Sequence, residues 1–312
     1  MAKPLFIAIV FLVSFVGTSL VFHGKEAALF GAPVDGSPAA IFLPTKAKEL
    51  RILFNESDFQ NIKAESFIIG TVSGQVLASR AADAPHPMAS LTKIMTGLLL
   101  EERGRGTTIW VTPDAKGVDP KHSSLKTGAT LDADTARVLL LAESDNDIAE
   151  SIAGSVGILF DPSLDNPRAA FVAAMNQKAA ELGMLKTHFL NPTGLDEAGH
   201  VSSARDLFRL VGYATTNYAD FWAHTAEPKT RLAISGATIE IQSSNLLSGQ
   251  PGLIGGKTGF TDKSEGALVL LYETQYSPED IVIVLLRSPD RFADGEKLLG
   301  IIELKLKSEI SQ

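Results

Sequence analysis

Strand-like segments at both ends of the chain, separated by a long helical block, constrain its fold more than any other feature. Ala64 to Arg80 reads as a hairpin, with Phe67-Ile68-Ile69 and Gln75-Val76-Leu77 on either side of a Ser73-Gly74 turn. Toward the other end, Arg231-Leu232-Ala233-Ile234, Thr238-Ile239-Glu240-Ile241, Ala267 to Tyr272 and Ile281 to Leu286 also read as strands, and Glu296 to Lys307 closes with a helix. Between them, apolar residues recur at helical spacing. Leu91 to Arg103 ends before Gly104, and Asp132 to Ala142 and Asp145 to Ala153 are parted by Glu143-Ser144. Arg168 to Leu182 has Gly183 to cap it, and Ser203 to Thr215 has Ser202 or Ser203 as N-cap. One sheet built from distant segments around a helical middle is an α+β fold. With 312 residues, 45% of them hydrophobic, the chain is long enough for one large domain or two modest ones.

The first residues set the destination. After Lys3 and Pro4, Leu5 to Phe22 runs without a charge, a length at the lower limit of a membrane-spanning helix (~18 residues) and beyond a signal-peptide core of ~7–15. Gly17-Thr18-Ser19 offers small residues for cleavage, but Leu20-Val21-Phe22 continues the apolar run, which favours an uncleaved anchor over a cleaved signal. Either directs the chain to export. Gly31 to Pro44 reads as a linker. The expected organisation is therefore residues 1–22 as anchor or signal, 23–60 as linker and lead-in, and 61–308 as the folded domain.

Composition narrows the chemistry. The net charge of −8, with no dense Lys/Arg run, argues against nucleic-acid binding. There is no cysteine, which excludes thiolate catalysis and cysteine-ligated zinc. The six histidines form no HExxH or similar ligand spacing, so no metal or other cofactor is expected.

Three short motifs suggest acyl transfer instead. In Ser90-Leu91-Thr92-Lys93, a helix would place Lys93 on the same face as Ser90, and a lysine that burial has stripped of its charge is the base a weak hydroxyl nucleophile needs. In Ser144-Asp145-Asn146, at a helix junction, Ser144 and Asn146 would project into a cleft as proton relay and amide donor; ordinary N-capping is the plainer account. In Lys257-Thr258-Gly259, on a strand, Lys257 and Thr258 would hold a carboxylate while Gly259 lets substrate backbone approach; a glycine-rich turn with a solvated lysine is the plainer account.

Taken singly, none of these is decisive, because each recurs. Ser123-Ser124-Leu125-Lys126, Lys126-Thr127-Gly128 and Ser243-Ser244-Asn245 repeat the three patterns. The second SxxK and KTG share Lys126 in a polar loop leading to a helix near Asp132, whereas Ser90/Lys93, Ser144/Asn146 and Lys257/Thr258/Gly259 are separate, ordered, and placed on a helix start, a helix junction and a strand.

This ordered trio resembles that of penicillin-recognising serine enzymes. Phe171 to Asn176, Leu182-Gly183-Met184, Asn191-Pro192-Thr193-Gly194-Leu195 and His200 to Leu207 extend the likeness to low-molecular-mass penicillin-binding proteins, the serine-type D-alanyl-D-alanine carboxypeptidases of peptidase family S11, over about Ala64 to Lys307. The resemblance implies a β-lactamase/transpeptidase-like fold: an antiparallel sheet from both chain ends flanked by a helical subdomain. It implies Ser90 as nucleophile on the terminal D-Ala-D-Ala bond of a peptidoglycan stem peptide, Lys93 as general base, Ser144 with Lys257 as relay to the leaving D-alanine, and Asn146 orienting substrate and Lys93. The N–H groups of Ser90 and Phe260 would form the oxyanion hole, Thr258 would bind the terminal carboxylate, and Arg287 would assist it. β-Lactams would be covalent inhibitors, and the domain would act in wall biogenesis outside a bacterial cell membrane.

About fifty residues follow Gly259, enough to finish the sheet and its last helix, so the C-terminal membrane helix of relatives is not expected here and Leu5–Phe22 is favoured as the anchor. Against a class A β-lactamase, Thr187-His188-Phe189-Leu190-Asn191 carries threonine where that family's deacylating glutamate belongs. A transpeptidase or endopeptidase using the same acyl-enzyme, and a non-catalytic peptidoglycan-binding module, are the further alternatives; the intact polar set speaks against the last.

Overall fold

The computed structural model describes residues 50, 52, 54–118, 124–163, 165–234 and 236–310. Leu5–Phe22, expected as anchor or signal, and the Gly31–Pro44 linker lie outside the described residues, as does Ser123 of the second SxxK. Among the described residues no helix is long and apolar enough to cross a membrane.

The elements follow in the order β1 (Ser66–Thr71), β2 (Val76–Arg80), α1 (Thr92–Arg103), β3 (Ile109–Trp110), β4 (Thr130–Leu131), α2 (Ala133–Val138), α3 (Asn146–Val156), α4 (Pro167–Glu181), α5 (Ala204–Asn217), β5 (Lys229–Ile234), β6 (Ala237–Gln242), β7 (Leu253–Thr261), β8 (Glu265–Tyr272), β9 (Ile281–Ser288) and α6 (Arg291–Ile310). The main sheet has five antiparallel strands in the order β2-β1-β9-β8-β7, so the N-terminal hairpin docks beside the last strand. This is the α+β architecture expected, with two departures. β5 and β6 pair only with each other, and Lys126 leads first into the short strand β4, which pairs with β3, before α2 begins.

The strand period of two explains how the sheet is buried on both faces. On β9, Val282, Val284 and Leu286 join a core with Ile94, Met95 and Leu98 of α1 and Leu207, Leu210 and Val211 of α5. The alternate residues Ile281, Ile283 and Leu285 join Leu298, Ile302 and Leu306 of α6, with Phe59 and Ile62 from ahead of β1. A strand sandwiched this way has no polar face, which is why Ile281 to Leu286 reads as an unbroken apolar run. β5 and β6 show half-exposed alternation instead, as befits a hairpin covered on one side.

Strand β7 forms one edge of the main sheet, next to the α1 start and the junction before α3. Those three elements carry the three motifs.

Candidate active site

The chain reaches Ser90 through a tight elbow. Ala89 has φ 48°, in the left-handed region that costs an alanine ~1–2 kcal/mol, and begins a single helical turn, Ala89–Leu91, that runs into α1. Two glycines let neighbouring backbone close on this elbow. A Cβ on Gly194 would overlap the Ala89 carbonyl and lie 2.9 Å from the Ser90 nitrogen, and one on Gly259 would lie 3.1 Å from that nitrogen.

Lys93, one turn on, is fully buried and donates to Ser90 Oγ at 3.0 Å, Asn146 Oδ1 at 2.7 Å and the Thr193 carbonyl at 2.7 Å. An amine keeps two of these bonds, to Asn146 and Thr193, and turns its lone pair to Ser90 Oγ at the third position. The Thr193 carbonyl is itself set by a small turn: Asn191 Oδ1 accepts from Thr193 Oγ1 at 3.0 Å and from the Gly194 N–H at 2.7 Å, and Thr96 Oγ1 donates to the Pro192 carbonyl.

The junction before α3 explains how capping and cleft roles coexist in three residues. A five-residue π-helical turn, Leu139–Glu143, ends at Ser144 with φ 68°; Asp145 then caps α3, its carboxylate accepting from the Ile148 N–H at 3.1 Å. Such π turns recur at functional sites. Asp145 thus meets the capping need, and Ser144 and Asn146 on either side of it meet the two lysines. Lys257 Nζ donates to Ser144 Oγ at 2.7 Å, while Asn146 holds Lys93. Asn146 Nδ2 also donates to the Val118 carbonyl at 3.3 Å, and the buried Asp147 secures that segment by accepting from Val118 N and Lys116 Nζ at 2.9 Å each.

On β7, Lys257 is 1% exposed and donates also to the Thr258 carbonyl at 2.8 Å. Thr258 Oγ1 donates to Ser244 Oγ at 3.0 Å. Phe260 turns its ring outward, against the guanidinium of Arg291 at 5.4 Å, so only its backbone is available to the cleft.

Eight of the nine residues singled out in the sequence therefore lie in or beside this cluster. Arg287 does not. It has φ 53°, pairs with Glu65 at 3.2 Å and Glu265 at 3.1 Å, and donates to the Lys263 carbonyl at 3.2 Å; among the described residues it has no hydrogen bond or ion pair with Ser90, Lys257 or Thr258. Its two carboxylate partners hold the guanidinium at the β8 start. Three participants went unassigned from sequence: the Thr193 carbonyl, Ser244 and His200.

His200 buttresses the nucleophile segment. Its Nδ1 accepts from the Leu190 N–H at 3.0 Å, so Nε2 carries the hydrogen and donates to Thr92 Oγ1 at 2.7 Å. Burial pushes the imidazole down to about 4. The unfolded chain protonates at an ordinary ~6.5 and the folded one does not, so this contribution to stability is complete above about pH 6.5 and is lost as pH falls toward 4, by about 3 kcal/mol. Urea unfolding at pH 7 and pH 4.5 should show a smaller pH-dependent loss for His200→Gln than for wild type. Equal losses would remove His200 as the titrating group.

A serine on a buried lysine, a second serine–lysine pair, and an amide that holds the first lysine define a serine acyl-transfer centre on an α+β scaffold. Residues 54–288 match the D-alanyl-D-alanine carboxypeptidase family, Peptidase_S11, and the chain belongs to that family of serine hydrolases, which cleave the D-Ala-D-Ala bond. It is similar to D-alanyl-D-alanine carboxypeptidase DacB2 of Mycobacterium tuberculosis, with 34% identity over 214 residues, 66% of this chain and 69% of the relative. It is also similar to the D-alanyl-D-alanine endopeptidase of Pseudomonas aeruginosa, with 31% identity over 242 residues, 74% of each. Among solved structures, the D-alanyl-D-alanine carboxypeptidase of Mycobacterium tuberculosis aligns with TM-score 0.65 and 29% identity over 82% of this chain and 94% of that one. Penicillin-binding protein D2 of Listeria monocytogenes in its cefotaxime-bound form aligns with TM-score 0.64 and 28% identity over 81% and 99%.

Proposed function

We propose that Ser90 carries the acyl group in D-alanine release from peptidoglycan stem peptides, with the two lysine–serine pairs dividing the proton transfers. The observation that carries this reading is Lys93 Nζ, 3.0 Å from Ser90 Oγ and 2.7 Å from Asn146 Oδ1, deep in the protein. Lys93 in its amine form takes the Ser90 hydroxyl proton as Oγ attacks the penultimate D-alanine carbonyl. The Ser90 and Phe260 N–H groups meet the developing oxyanion, an interaction typically worth ~3–4 kcal/mol per donor. Ser144 passes its proton to the departing D-alanine nitrogen and is resupplied from Lys257, already 2.7 Å away. Asn146 orients the substrate amide, the terminal carboxylate docks beside Thr258, and water then frees Ser90. Arg287, bound to Glu65 and Glu265, has no part in this scheme.

β-Lactams would acylate the same serine, and the cefotaxime-bound relative supports that inhibitor class. The uncharged run Leu5–Phe22 supports placement of the domain on the outer side of a bacterial cell membrane, held by that segment. Fluorescent penicillin is expected to label the wild type and not Ser90→Ala; equal labelling of both would remove Ser90 from the mechanism. D-Alanine release from a pentapeptide, set against cleavage of a cross-linked dimer, separates carboxypeptidase from endopeptidase action.

A further inference from the structure

The repeated motif Ser243-Ser244-Asn245 does not lie apart from the site. Its middle residue touches Thr258, through Thr258 Oγ1 donating to Ser244 Oγ at 3.0 Å. A hydroxyl has one hydrogen to give. That of Thr258 is spent on Ser244, while the hydrogen of Ser244 has no acceptor among the described residues and its side chain is only partly buried. In this pair the hydrogen left to give is the serine's.

The serine is also rigidly placed. Its N–H donates to the Ala142 carbonyl at 2.8 Å, two residues ahead of Ser144, which ties it to the relay. The surrounding turn closes on itself: Ser243 Oγ bonds Ser248 Oγ at 2.8 Å and accepts from Asn245 N at 3.1 Å, and Asn245 Oδ1 accepts from Leu247 N at 3.1 Å. A donor held this way loses little freedom on binding a ligand. With Arg287 engaged by Glu65 and Glu265, no arginine from β9 competes for this position.

We propose that Ser244 is a substrate-binding residue that sets specificity for a free C-terminal carboxylate, donating to it directly while Thr258 polarises the serine from behind. This rests on the D-Ala-D-Ala reading of the site. An anionic acceptor on Ser244 strengthens the Thr258-to-Ser244 bond in turn, since chained hydrogen bonds reinforce one another.

The test compares two substrates sharing one D-alanyl acyl group: a peptide leaving as D-alanine, and an ester whose alcohol carries no carboxylate. The ratio of their kcat/KM values measures preference for the carboxylate and cancels the fraction of active enzyme, so an imperfectly folded variant still reports. Ser244→Ala is expected to lower that ratio about tenfold, in line with loss of a hydrogen bond to a charged group. Most of the change should appear in KM for the peptide, and Ser244→Thr, which keeps the hydroxyl, should restore the ratio. An unchanged ratio in Ser244→Ala, with both substrates slowed alike, would overturn the proposal. Failure of wild type to release D-alanine, or of Ser90 to be labelled by penicillin, would instead overturn the reading it rests on.

Discussion

Lys93→Met is expected to lower the rate of acylation by penicillin, and D-alanine release with it, by about four orders of magnitude, or ~5 kcal/mol of activation free energy. Methionine fills much of the same buried volume but takes no proton from Ser90. It also leaves Asn146 Oδ1 and the Thr193 carbonyl without their lysine donor, so some stability is lost as well, ~1–3 kcal/mol for such a group. Lys93→Arg separates the two effects. Arginine can satisfy the same acceptors but does not deprotonate in proteins; if Lys93 is the base, arginine recovers stability and not rate. Stopped-flow acylation with a chromogenic penicillin, beside urea unfolding, reads both. A rate for Lys93→Met within tenfold of wild type would show that another group activates Ser90.

The second large effect is expected at a residue with no side chain. Gly194 has φ 87°, and a Cβ there would run into the Ala89 carbonyl, the backbone atom just ahead of the nucleophile. Because the obstacle is backbone, rotamer changes give no relief. The turn must back away, carrying the Thr193 carbonyl off Lys93. Gly194→Ala is therefore expected to cost ~3–5 kcal/mol of stability and to slow acylation about a hundredfold or more through misplacement of Ser90 and Lys93. Gly183→Ala is the control: φ is 66° there as well, but a Cβ meets nothing within 4 Å, so only the left-handed penalty of ~1–2 kcal/mol applies. Matching behaviour of the two variants in urea unfolding and acylation would show that the contact with Ala89 carries no weight.

What the sequence disclosed follows from which interactions leave a side-chain signature. The first hairpin and the buried strands β8 and β9 do, through turn residues and apolar runs, and Ser203 does through its cap, its hydroxyl accepting from Asp206 N at 3.1 Å. The main motif residues do, because acyl-transfer chemistry demands particular side chains in order. The Thr193 carbonyl does not, since any residue there supplies the same oxygen. His200 reads as a lone histidine, because the Thr92 and Leu190 groups that orient it are brought to it only by the fold. Ser244 was concealed by its own pattern. It repeats a motif whose usual place is taken by Ser144, and its contact with Thr258 spans the connection from β6 to β7. Arg287 is the reverse case. Its place beside the carboxylate is implied by resemblance alone, whereas in the fold its left-handed backbone and two acidic neighbours engage the guanidinium.

The pairing of β1 with β9 bears on when this molecule becomes an enzyme. Phe67 lies opposite Leu285, so β1 must wait for a partner strand that is made long after it. Until β9 arrives, β1 and β8 lack the strand that joins them, and β7, which carries Lys257, has no fixed position relative to Ser90. Such long-range closure makes for slow, all-at-once folding. A nascent chain that already holds Ser90, Lys93, Ser144 and Lys257 therefore does not fix them against one another until β9 has been made.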